Sequence, residues 1–141
     1  MKYKTEKELL VVIESFENSV IAREDWGHAE HLIVAFFYAS NNDFETALLK
    51  MREGIFNLLE AFEVDLSKEM PYHETLTVFW MRMVFDFLNS RKGYSIFENC
   101  AELLEKFDKN YPLRFYSREL LFSDNARAKF VAADLPNKKE A

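Results

Sequence analysis

Leu32-Ile33-Val34-Ala35-Phe36-Phe37-Tyr38-Ala39 carries no charge over eight consecutive residues. A helix that is apolar on every side is enclosed by other helices, so this run predicts the central helix of a bundle. Upstream, Asp25 offers a carboxylate that can accept the free N–H groups of a first turn, and it is the expected N-cap. Downstream, Ser40-Asn41-Asn42 is the expected stop.

The rest of the chain supports the same class. It has 141 residues, 49% of them hydrophobic, with 14 Phe, 6 Tyr and 2 Trp against only 3 Gly and 3 Pro. Few breakers and many long apolar side chains favour an all-α domain over a turn-rich sheet protein. The length suits one domain with a single core that needs no metal or disulfide to hold it. We expect a bundle of five to six helices over residues 1–134 and a loose polar tail from Leu135 to Ala141.

The flanking elements follow from their periodicity. Leu9, Val12, Ile13 and Phe16 share one face of a first helix from Thr5 to Phe16, and Thr5 and Glu8 have capping-box spacing. Asp43 caps a third helix over Phe44 to Phe62, with Ala47, Leu48, Met51, Ile55, Leu58, Leu59 and Phe62 inward. Gly54 costs about 1 kcal/mol relative to Ala inside that helix, which points to a close helix–helix approach. Pro71 opens a fourth helix reaching about Asn89, since a first turn does not need the missing N–H. Thr75, Arg82, Asp86 and Asn89 form its expected solvent line, which turns His73 into the core and leaves Glu74 peripheral. Ser95 caps a fifth helix, Ile96 to Phe107. Beyond Pro112 a short turn or helix runs through Tyr116, Ser117 and Leu121, and Ser123 caps a last helix to about Ala132.

Charge and composition narrow the function classes. The net charge is −6, with acids and bases interspersed and no basic stripe, which argues against nucleic acid as a partner. The single Cys100 fits a reducing compartment. Met1-Lys2-Tyr3-Lys4 has no signal-like apolar stretch, and no segment spans a membrane without charges. A soluble cytoplasmic protein is the expectation.

The chemistry concentrates in two words that hold all three histidines: Trp26-Gly27-His28-Ala29-Glu30-His31 and Tyr72-His73-Glu74-Thr75. Each opens a core helix. His28 and His31 are neighbours on one helical face, and His73 comes from a second core helix. Burial and the positive end of a helix both disfavour imidazolium. Neutral imidazole is the form that binds metals and acts as a base. Three such rings can make a metal face with open positions for water or substrate, so His28, His31 and His73 are the candidate ligands for a divalent iron, manganese or zinc ion. Asp25, Glu30 and Glu74 are the nearby carboxylates, Glu30 being the weakest as a shared ligand. The plainer reading of each ring is a core histidine bonded to a carbonyl or carboxylate.

Glu74, Tyr116 and Arg127 are the candidate catalytic residues: Glu74 as a fourth metal ligand, a hydrogen-bonding partner to a ligand or a base, and Tyr116 and Arg127 as groups that orient substrate. Ser123 reads first as a helix cap and Arg127 as a bracing ion-pair partner. Arg52 borders the inner face of the third helix, where a surface ion pair is the plain reading and anion binding the sharper one. Cys100 has no basic neighbour and reads as an inert core thiol.

Trp26-x-His28-x-x-His31-Leu32, Arg52-Glu53-Gly54-Ile55, Tyr72-His73-Glu74-Thr75-Leu76-Thr77 and Tyr116-Ser117-Arg118-Glu119-Leu120-Leu121-Phe122-Ser123, with Ala126-Arg127 and Asp134-Leu135, together resemble a family of small uncharacterised bacterial proteins. The resemblance runs from about Phe16 to Leu135. It implies that the histidines and Glu74 matter, and it supplies no activity. The Gly27 and Val20-Ile21 positions depart from the family pattern, which has a polar residue and a Leu-Pro pair there.

Three functions compete on these grounds. One is a metal-dependent enzyme acting on a small molecule. The second is a metal-free small-molecule-binding or acid–base protein with an aromatic pocket. The third is an interaction module whose exposed apolar helix face forms a homodimer.

Overall fold

The computed structural model describes residues 1–136. These form seven α-helices and no strand: α1 (Glu6–Glu17), α2 (His28–Asn41), α3 (Phe44–Ala61), α4 (Glu74–Asn89), α5 (Ile96–Lys106), α6 (Arg118–Leu121) and α7 (Asp124–Ala128). Two 3-10 turns, Arg23–Asp25 and Tyr111–Arg114, lie in the connectors. The all-α bundle is therefore the fold, with one short helix, α6, more than the periodicity resolves.

The uncharged run is central as expected. α2 packs against α1, α3, α4 and α5, and Leu32, Ile33, Val34 and Ala35 are wholly enclosed. Gly54 marks the point where α3 meets α1. A Cβ built there would lie 2.3 Å from two ring atoms of Phe16, so only the absent side chain lets the two helices close.

The caps locate the helix ends. Thr5, Asp43, Ser95 and Ser123 each accept an N–H of the first turn. Ser123 is thus the cap that its plain reading makes it, although α7 stops at Ala128, short of Ala132. Asp25 does not cap α2. It sits in the 3-10 turn, and Gly27 is the N-cap. Gly27 has no capping side chain, and the Glu30 carboxylate reaches back to accept its N–H at 3.0 Å.

Pro71 likewise lies before α4, whose N-cap is His73. Thr75 departs furthest from expectation. It is fully buried, because α7 covers the first turn of α4 and the Thr75 hydroxyl donates to the Ala126 carbonyl at 2.7 Å. At the chain's far end, Leu135 donates its backbone N–H to the Phe115 carbonyl at 2.9 Å, which ties the chain to the domain up to that residue. The last part of the expected tail, residues 137–141, lies outside the described residues. No helix among the described residues is long and apolar enough to cross a membrane.

Candidate functional site

The histidines sit where the sequence puts them, at the starts of α2 and α4, and each is held differently. His73 is buried and uses both ring nitrogens. Nδ1 accepts the Leu76 N–H at 3.2 Å, which caps α4, and Nε2 donates to the Leu121 carbonyl at 2.6 Å. A carbonyl only accepts, so Nε2 carries the proton and the ring is neutral. Burial holds its pKa below the ordinary histidine value. The Leu121 bond opposes this and the Arg127 charge reinforces it.

His28 Nε2 donates to the Phe107 carbonyl at 2.8 Å, and its ring leans on Trp80 with centroids 5.0 Å apart. His31 has no such bond. The residue is half-buried and its ring stacks beside Trp26, with Nε2 enclosed and no hydrogen-bond partner among the described residues. Burial, with a smaller contribution from His28, pushes its pKa down to about 4.

This arrangement does not bring the three rings together as ligands. Among the described residues no group of three or more His, Cys, Asp or Glu side chains is placed to hold a metal ion. His73 would have to give up its cap and its carbonyl bond to ligate. Glu30, between His28 and His31, is enclosed and ion-paired to Lys2 at 3.2 Å, and it accepts the Tyr3 hydroxyl at 2.5 Å. Burial alone would raise its pKa. The bonds from Tyr3, Lys2 and backbone N–H groups outweigh that and keep it ionised.

Glu74 and Arg127, two of the three candidate catalytic residues, do meet. They line a cleft of about 480 Å³. α3 supplies Arg52 and Phe56, and the α3–α4 connector supplies Met70 and Tyr72. Glu74 is the first residue of α4, and Asp124, Arg127 and Ala128 come from α7.

Tyr116 is not part of the cleft. Its ring is buried in the core, and its hydroxyl donates to the Val131 carbonyl at 2.6 Å. Cys100 is buried, and desolvation pushes its thiol up to about 12, so it is the inert core thiol expected.

The cleft is built around one carboxylate. Glu74 accepts from both Nε and Nη2 of Arg52, with Nε at 2.9 Å, and from the Tyr72 hydroxyl at 2.5 Å. Burial raises the Glu74 pKa, and the Arg52 and Tyr72 bonds more than reverse this, leaving it below the ordinary carboxylate value. A carboxylate that already accepts three bonds and resists protonation is a poor general base. Its role is to hold Arg52 and Tyr72 still. Burial and the bond to Glu74 push the Tyr72 phenol up to about 12. Tyr72 also packs against Phe56, with ring centroids 4.6 Å apart, and the two make one wall.

Of the cleft residues the sequence reading missed Phe56, Met70, Tyr72, Asp124 and Ala128. The signal for Tyr72 was present in the Tyr-His-Glu word itself. Phe56 and Met70 come from separate elements that only the fold brings together.

No family model, curated protein or solved structure matches this chain. The site's chemistry therefore rests on its geometry.

Proposed function

We propose that this protein binds a small molecule, without a metal, in the cleft between α3, α4 and α7. The observation that carries this reading is the cleft's construction: a volume of about 480 Å³, an aromatic wall of Phe56 and Tyr72, and an Arg52–Glu74–Tyr72 clamp that fixes the polar groups beforehand. Ligand sites are typically concave spaces of roughly 300–1,000 Å³, mostly apolar, with a few fixed polar groups. Preorganised groups lose little freedom when the ligand arrives.

The test is thermal unfolding against a library of small aromatic and aliphatic compounds, in chelator. A compound present at about ten times its Kd stabilises by about 1.4 kcal/mol, or a rise of about 3–5 °C for a domain of this size. The rise should persist in chelator and shrink in Phe56→Ser. Phe56 is 40% exposed, so that substitution leaves the core intact.

One observation favours the metal reading instead: His31 Nε2 is an enclosed nitrogen without a partner. That reading requires His28, His31 and His73 to converge on a divalent ion. It predicts that chelator abolishes ligand responses and that added iron, manganese or zinc restores them.

A further inference from the structure

The ligand class is written in the charges of the cleft, and the inference rests on the binding reading above. Arg52 and Glu74 neutralise each other. Glu74 is nearly enclosed, at 13% side-chain exposure, whereas Arg52 keeps 37%. Glu74 takes the Nε and Nη2 edge of the guanidinium. The Nη1 amino group of Arg52 has no hydrogen-bond partner among the described residues and remains available on a residue that lines the cleft.

Arg127 is the second guanidinium. It has no carboxylate within ion-pair distance among the described residues. Its one side-chain hydrogen bond among the described residues is a long contact of 3.5 Å from Nη1 to the Met70 carbonyl. A half-buried arginine at the edge of an apolar cleft has most of its five donors unspent.

We infer that Arg127, assisted by the Nη1 edge of Arg52, is the anchor for a single carboxylate on a ligand whose apolar or aromatic body lies along Phe56 and Tyr72. Guanidinium and carboxylate match in planar, two-point geometry. The head group is a monoanion because Arg127 is the one cation of the cleft lining with no carboxylate within ion-pair distance, and Glu74 and Asp124 leave no net positive charge for a second negative one. A phosphate monoester, near two negative charges, would face Glu74 and the exposed carboxylate of Asp124, which also lines the cleft. Asp124 opposes any anion there, so its neutralisation should tighten binding.

The probes are three compounds with one body and different heads: 3-phenylpropionate, 3-phenylpropanol and 3-phenylpropylamine. Each is titrated calorimetrically into the full chain and into Arg127→Gln, with melting temperatures recorded to show that the variant is folded. The acid should bind about tenfold or more tighter than the alcohol. Arg127→Gln should abolish that preference, bringing the affinities of acid and alcohol together, and Asp124→Asn should strengthen the acid alone. An alcohol that binds as well as the acid would overturn the carboxylate assignment and leave the cleft as a binding site. An amine that binds tightest would overturn it in favour of Asp124 as anchor. Binding by none of the three would overturn the cleft reading as well.

Discussion

Replacing His31 with leucine should make the protein more stable, and more so as the pH falls. The ring sits in the first turn of α2 with Nε2 enclosed and unpartnered. A buried polar atom without a partner costs about 1–3 kcal/mol. Leucine removes that cost but also the stacking on Trp26, so the gain near pH 7.5 should be about 1 kcal/mol.

The pH dependence is the sharper part. In the unfolded chain the imidazole titrates near 6.5, and in the folded protein near 4. Above 6.5 the ring is neutral in both states and its titration costs nothing. As pH falls below 6.5 the unfolded chain takes up a proton that the folded protein refuses, so stability drops until the folded ring titrates near 4. At about 1.4 kcal/mol per pH unit, the loss approaches about 3 kcal/mol across that window and is about 2 kcal/mol at pH 5. Urea unfolding of wild type and His31→Leu at about pH 7.5 and pH 5 measures it. The variant's advantage should widen by about 2 kcal/mol between the two. Parallel pH profiles would refute the argument, because they would mean that His31 takes its proton in the folded state as easily as in the unfolded one.

Three further outcomes follow from the packing. His73→Ala should destabilise by about 2–4 kcal/mol in denaturant titration, since it strips the α4 cap and leaves the Leu121 carbonyl unbonded. His73→Asn, which can still cap, should lose less. Gly54→Ala should lower stability by about 1–3 kcal/mol despite alanine's better helix propensity, because its Cβ would meet an enclosed Phe16 ring at 2.3 Å; a rise in melting temperature would contradict the close approach of α1 and α3. Glu74→Gln should cost about 1–2 kcal/mol of stability in denaturant titration by freeing a partly buried guanidinium.

The fold was legible where one residue type answers one local need. The uncharged run from Leu32 to Ala39 demanded enclosure and is enclosed at every residue but Phe37, which is half-buried. Asp43, Ser95 and Ser123 offered caps and serve as caps. Gly54 implied a close approach, and Phe16 fills the space. Legibility failed where a neighbour distant in sequence decides. Thr75 lies on the polar side of α4 by periodicity, but α7 covers that side and gives its hydroxyl two carbonyls, those of Ala126 and Lys129. Asp25 is a better cap by residue type than Gly27, yet Glu30 reaching back makes the glycine sufficient.

The site divides in the same way. The histidines were conspicuous because they stand at helix starts, and two of them stand there to bond backbone: His73 to Leu76 and Leu121, His28 to Phe107. Glu74 and Arg127 were visible as chemistry. Their meeting with Arg52, Phe56 and Tyr72 depends on how α7 folds back over the entrance of α4, which no local pattern encodes.

The most direct test of the cleft is a backbone amide NMR titration of the full chain with 3-phenylpropionate. The account predicts shifts confined to Arg52, Phe56, Tyr72, Glu74, Arg127 and their neighbours, saturating together with one affinity. Shifts that gather instead around Lys106 and Tyr111, which line a separate hollow of about 460 Å³, or that spread evenly over the bundle, would contradict it.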